Sequence, residues 1–125
     1  MGFVYEKHGL YPNSILIRRF VETTTAPDII DSWNYLLNNN LVTESLKGLI
    51  TDLSDCKLSM DMTSFNTLIS FMRNQDYLKK LKLAVVCGNP ETIVFPFLGE
   101  MEEKDLKIRP FSTMEAAESW ILFEP

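Results

Sequence analysis

Cysteine, histidine and long apolar runs are the scarce features of this 125-residue chain, and each scarcity removes a class of protein. Cys56 and Cys87 stand 31 residues apart with no CxxC pair, so neither a disulfide framework nor a thiolate zinc cluster follows. They read as free, partly buried thiols that pack as small hydrophobes. His8 is the single histidine, beside a turn and without a second ligand in sequence, and it reads as a solvated turn residue rather than a metal ligand. The longest apolar stretch, residues 93 to 98, has six residues including Pro96. A bilayer crossing needs roughly 20. Basic residues are also in the minority: 12 Lys and Arg face 17 Asp and Glu, a formal charge of −5. That sign is wrong for tracking a phosphate backbone by counterion release, so no nucleic-acid partner is expected. GxSxG, P-loop, GxGxxG and HExxH patterns are all missing, and no histidine lies near a serine or cysteine to activate it. No enzyme activity and no cofactor are expected. The opening MGFVYEKHGL has no basic stretch leading into an apolar run, and Glu6 spoils a myristoylation pattern, so a cytoplasmic protein is expected.

What is present is the composition of one folded domain, with 46% hydrophobic, 23% charged and 11% aromatic residues and no repeat or low-complexity linker. Residues 3 to 7 and 14 to 22 are rich in β-branched and aromatic types, and Gly9, Pro12 and Asn13 between them supply turn chemistry, which predicts an opening hairpin. Thr25, Pro27 and Asp28 then form a helix start, and Ile29, Ile30, Trp33, Leu36 and Leu37 recur at helical spacing over 26 to 39. Asn38, Asn39 and Asn40 close that helix. GLITDLS at 48 to 54 is an apolar run that turns polar, the pattern of an inner strand over 48 to 53 ending at Asp52. Phe65, Leu68, Ile69 and Met72 share one face of a second helix over 62 to 75, with Ser59, Asp61 and Thr63 competing for its N-cap. A second inner strand is predicted over 81 to 87. Asn89 and Pro90 would open a short third helix interrupted by Pro96. LKIRPF at 106 to 111 reads as an edge strand, and Ser112 with Glu115 as a capping box for a last helix over 113 to 122. Alternation of this kind predicts an α/β sandwich around a mostly parallel mixed sheet of about five strands, with about four helices.

Three stretches carry a family likeness: LITDLSDCKLSMDMTSFNTLISF at 49 to 71, LKLAVVCGNPETI at 81 to 93, and IRPFSTMEAAESWI at 108 to 121. In this order the chain resembles a STAS domain, and most closely the branch called stage II sporulation protein AA-like, the anti-sigma factor antagonists. The resemblance implies a STAS-like sandwich that acts through a protein partner. It also implies phosphorylation at the start of the second helix, where the family carries Asp-Ser-Ser-Gly or Asp-Ser-Thr-Gly. Matching Asp61 to the family aspartate puts Met62 and Thr63 at the two hydroxyl positions and Ser64 at the glycine. Thr63 is then the nearest acceptor, with Ser64 and Ser59 as further candidates. A phosphate there would meet unpaired N–H groups and change the surface charge by about −1.5 to −2. The departures are Met62 for a hydroxyl residue, Ser64 for glycine, and a loop one residue longer after Asp52.

Asp52, Asp61, Cys87 and Asn89 are the candidates at the carboxyl edge of the sheet, for turn capping or a ligand edge. Asp52, Asp55, Asp61 and Glu44 match no calcium-loop spacing, so no metal is expected. Cys87 precedes a helix start able to lower a thiol pKa, against plain packing as the simpler role. Phe95 and Phe97, in the apolar IVFPFL run, are candidates for core, for a homodimer contact, or for a pocket holding a small apolar ligand; likeness of this branch to CRAL-TRIO lipid carriers is what suggests the pocket. A nucleotide is the other ligand class left open. Trp120, one turn beyond Ala116 and Ala117, is expected to anchor the last helix by reaching Phe111 or the first two strands, the alternative being an exposed place in a dimer or partner surface.

Overall fold

The computed structural model describes residues 3–88 and 106–124. β1 (Phe3–Lys7) and β2 (Ile15–Thr24) form the expected hairpin, antiparallel, with Phe3 opposite Phe20 and Lys7 opposite Leu16. β3 (Gly48–Leu58), β4 (Lys82–Val86) and β5 (Lys107–Phe111) follow in parallel, giving a mixed sheet of order β1-β2-β3-β4-β5. The two inner strands read from the sequence are thus adjacent and parallel. Parallel neighbours need crossovers. α1 (Ala26–Asn38) makes the first; α2 (Met62–Arg73) and a 3₁₀ turn (Asp76–Lys80) make the second, and α3 (Met114–Phe123) closes the chain. The described residues hold three α-helices and this 3₁₀ turn, which the sequence pattern did not reveal. The helix expected from Asn89 and Pro90 falls outside the described residues.

Period-two alternation in β2, β3 and β4 sends residues to opposite faces. Leu16, Phe20, Leu49, Leu53 and Leu83 pack with Trp33 and Leu36 of α1 and Leu68 of α2. Ile15, Ile17, Ile50, Ala84 and Val86 pack with Ala117, Trp120 and Ile121 of α3. Trp120 sits 5.6 Å from Phe111, ring centre to ring centre, so it anchors α3 as expected. Lys82 Nζ adds a tether by donating to the carbonyls of Trp120 (2.7 Å) and Glu124 at the end of α3.

Local capping follows the sequence at α1. Thr25 Oγ1 accepts from the Asp28 N–H and the Asp28 carboxylate accepts from the Thr25 N–H, and Asn39 is the C-cap, followed by Asn40 at φ 56° in the left-handed region. At α3 the expected cap is displaced by one residue. Thr113, not Ser112, is the N-cap, its hydroxyl accepting from the Ala116 N–H. A larger correction concerns β3, which does not end near Asp52. It runs on to Leu58, because β2 also continues to Thr24 and pairs with it, Val21 opposite Asp55 and Thr24 opposite Leu58. Leu53 and Ser54 together oppose Phe20, a bulge that absorbs one extra residue before the pairing resumes.

Candidate functional site

The polar end of β3 leads straight into α2. Ser59 donates its N–H to the Thr24 carbonyl at 2.8 Å, which ties the exit of β3 to the end of β2 and leaves Met60 and Asp61 to turn the chain. Of the three residues competing for the N-cap, Asp61 takes it: Oδ1 accepts from the Ser64 N–H at 2.7 Å. That bond, from backbone N–H to carboxylate, holds the Asp61 carboxyl below its usual range. Thr63 and Ser59 are exposed and Ser64 is half-buried. Among the described residues the Thr63 hydroxyl has no protein hydrogen bond, while its carbonyl accepts from Thr67 Oγ1 at 3.1 Å. Exposed Met62 stands beside it.

Asp52 lies opposite Val86, on the face that carries α3. Burial pushes its carboxyl up, but hydrogen bonds from Ser54 (backbone N–H to Oδ1, 2.9 Å) and from Arg19 (Nε to Oδ2, 3.0 Å) outweigh burial, and the net direction is downward. Both oxygens are therefore engaged, one on the bulge at Ser54 and one on Arg19 of the neighbouring strand β2. Asp52 does not join Asp55, Asp61 and Glu44; no group of three or more His, Cys, Asp or Glu that could hold a metal lies together among the described residues. Cys87 is buried at 1% exposure, its N–H donating to the Phe111 carbonyl at 3.2 Å, whereas Cys56 is half-buried with its thiol pushed up by burial. Asn89, Phe95 and Phe97 lie outside the described residues.

His8 corrects the sequence reading. It is buried, not solvated: Nδ1 accepts from the N–H groups of Leu10 (3.1 Å) and Tyr11 (3.2 Å), and Nε2 lies 2.9 Å from Glu118 Oε1 on α3. Two backbone donors on Nδ1 leave the ring proton on Nε2, which donates to the carboxylate. Both nitrogens are thus committed to structure, and neither faces a nucleophile.

Sequence reasoning missed Arg18. It is 3% exposed, on the α1 and α2 side of the sheet, directly opposite Thr51 and stacked 4.1 Å from the Trp33 ring. The signal was available. In a strand covered on both faces, two successive arginines in the middle of the run, Arg18 and Arg19, cannot both reach solvent by alternation. Arg19 escapes to the half-exposed α3 side and pairs with Asp52; Arg18 stays inside.

Solved structures that match this fold along nearly the full chain include two of note. One is an uncharacterized protein of the DUF3478 family from Shewanella loihica PV-4, with a SpoIIAA-like fold: TM-score 0.61, 12% identity, 96% of this chain and 92% of that one. The other is the anti-sigma factor antagonist SpoIIAA in its unphosphorylated form, with TM-score 0.55, 12% identity, and coverage of 94% and 96%. This chain has a SpoIIAA-like fold. No family model and no curated protein sequence matches it. The β3 to α2 connection, with Asp61 to Ser64, is where the sequence resemblance placed the phospho-acceptor candidates Thr63 and Ser64, with Ser59 nearby. Among the described residues no helix is long and apolar enough to cross a membrane.

Proposed function

We propose that this protein is a non-enzymatic regulatory module that docks a protein partner through the start of α2, with Thr63 as the point of phosphorylation control. The observation that carries this function is the exposed Thr63 hydroxyl, without a protein partner among the described residues, at a helix start whose free N–H groups favour an added phosphate. Met62 beside it offers the flexible apolar contact that protein interfaces use. The likeness in fold to an anti-sigma factor antagonist supports a partner contact of this kind. A non-catalytic role is supported by His8, whose two ring nitrogens are held by Leu10, Tyr11 and Glu118. A kinase-controlled contact belongs in the cytoplasm, and that location is part of the proposal.

The test is phosphosite mapping of the protein recovered from its native cells, together with partner recovery by the wild type, Thr63→Ala and Thr63→Glu. A single phosphate on Thr63, with one partner retained by Thr63→Ala and released by Thr63→Glu, is expected. An unmodified Thr63 and partner recovery indifferent to both substitutions would overturn it.

A further inference from the structure

Arg18 is a buried cation with no carboxylate within ion-pair reach among the described residues. Its guanidinium has five N–H donors. Three meet hydroxyl oxygens: Nη2 and Nε on Thr51 Oγ1 at 2.8 and 3.3 Å, and Nη1 on Ser32 Oγ at 3.2 Å. Its flat faces lie against Trp33 and Phe20, which satisfies the cation by its π contacts but leaves the remaining edge N–H groups unspent. Trp33 contributes a second unspent donor, because its buried Nε1 has no acceptor among the described residues. Both residues line one cavity of about 90 Å³ between the sheet, α1 and α2. One water needs only about 10–15 Å³. The other walls are almost wholly hydrocarbon, including Leu53, Phe65, Leu68 and Ile108.

What this place lacks is an acceptor, one negative charge and apolar bulk. We propose that the cavity binds a small carboxylic acid, its carboxylate taken by Arg18 with the Trp33 indole N–H and its short aliphatic or aryl body seated on Leu53, Phe65, Leu68 and Ile108. A single guanidinium matches a monoanion, and its fork suits a carboxylate bidentately. A phosphate dianion would find no second cation among the described lining residues. Burial without a counter-ion pulls the Arg18 pKa down to about 9, which still leaves a cation at neutral pH to meet the acid. The site is separate from Thr63, although Phe65 and Leu68 belong to the same helix. The ligand therefore stands or falls independently of phosphorylation.

The experiment is thermal unfolding of the full chain at neutral pH with butyrate, hexanoate and benzoate, set against hexylamine and hexanol as probes of equal bulk and different charge. Trp fluorescence serves as the direct binding readout. The acids are expected to raise Tm by about 4 °C at ten times their Kd and to perturb fluorescence saturably, and the perturbation should persist in Trp120→Phe, where Trp33 is the one remaining tryptophan. Arg18→Met keeps the apolar stem and removes the guanidinium donors, and should lose the response to acids. No stabilisation of the wild type by any of the acids would overturn the proposal, even if Arg18→Met does not fold. Equal stabilisation by hexanol, or an acid response that survives in Arg18→Met, would overturn it as well.

Discussion

His8 Nε2 lies 2.9 Å from Glu118 Oε1, a bond that ties the turn after the first strand to the last helix across 110 residues of sequence. The same ring holds that turn in shape, through the Leu10 and Tyr11 N–H groups on Nδ1. Removing it leaves a carboxylate and two backbone donors without a protein partner. His8→Ala is therefore expected to cost about 1–3 kcal/mol, measured by urea unfolding, with Glu118→Gln costing less because an acceptor oxygen remains. A change within error of zero for His8→Ala would mean that water replaces every one of these bonds.

Asp52 makes an acid-side prediction. Its carboxyl titrates below the unfolded value of about 3.9, so its contribution is complete above that value and is lost as pH falls through the lower, folded value. Asp52→Asn should destabilise by about 1–2 kcal/mol at pH 7, a modest figure because Arg19 is half-exposed. The gap between variant and wild type should close at a pH well below that unfolded value, once the folded carboxyl is protonated too. A gap that keeps its size down to that pH would show that Asp52 acts by shape rather than by charge.

Gly48 sits where α3 comes down on the sheet. A Cβ there would stand 2.7 Å from the Lys82 carbonyl oxygen and 2.8 Å from two carbons of Ile121. The carbonyl belongs to β4 and cannot turn aside without breaking the ladder. Gly48→Ala is expected to cost about 1–3 kcal/mol by overpacking, whereas Gly9→Ala, where nothing lies within 4 Å, should be close to neutral. Equal effects at the two glycines in denaturant unfolding would refute the close approach.

Trp120 carries the α3 layer. It is buried against Phe111 and within 5.6 Å of the Lys82 ammonium, and its carbonyl receives that ammonium. Trp120→Ala should cost about 3–5 kcal/mol, a large share of a stability of about 5–15 kcal/mol. A loss under about 1 kcal/mol accompanied by a change of oligomeric state would assign the ring to a surface contact instead.

Features built from neighbours in the chain were legible in the sequence. The Thr25 and Asp28 capping box, Asn39 and Asn40 at the end of α1, the Leu68, Ile69 and Met72 face of α2, and the apolar runs of β3 and β4 each depend on residues within a turn or on strict alternation. Such interactions are written by residue type and spacing alone, which is why the order of elements and their parallel pairing followed. Where pairing between distant segments decides, the local signal misleads. Asp55 and Lys57 look like a loop because they are polar and exposed, yet backbone pairing with Val21 and Thr23 makes them strand, since a strand edge in water needs partners for its N–H and C=O groups and not apolar side chains. His8 looked solvated for the same reason, its acceptor lying on the final helix. Arg18 is the sharpest case. Its position in the strand is compatible with an inward face, but only the register that sets it opposite Thr51, and the crossover that lays Ser32 and Trp33 over it, create an apolar cavity with the one cation among its described lining residues. Registers between segments 33 or 110 residues apart are chosen by the packing of the whole core, a free energy that no single stretch of sequence contains.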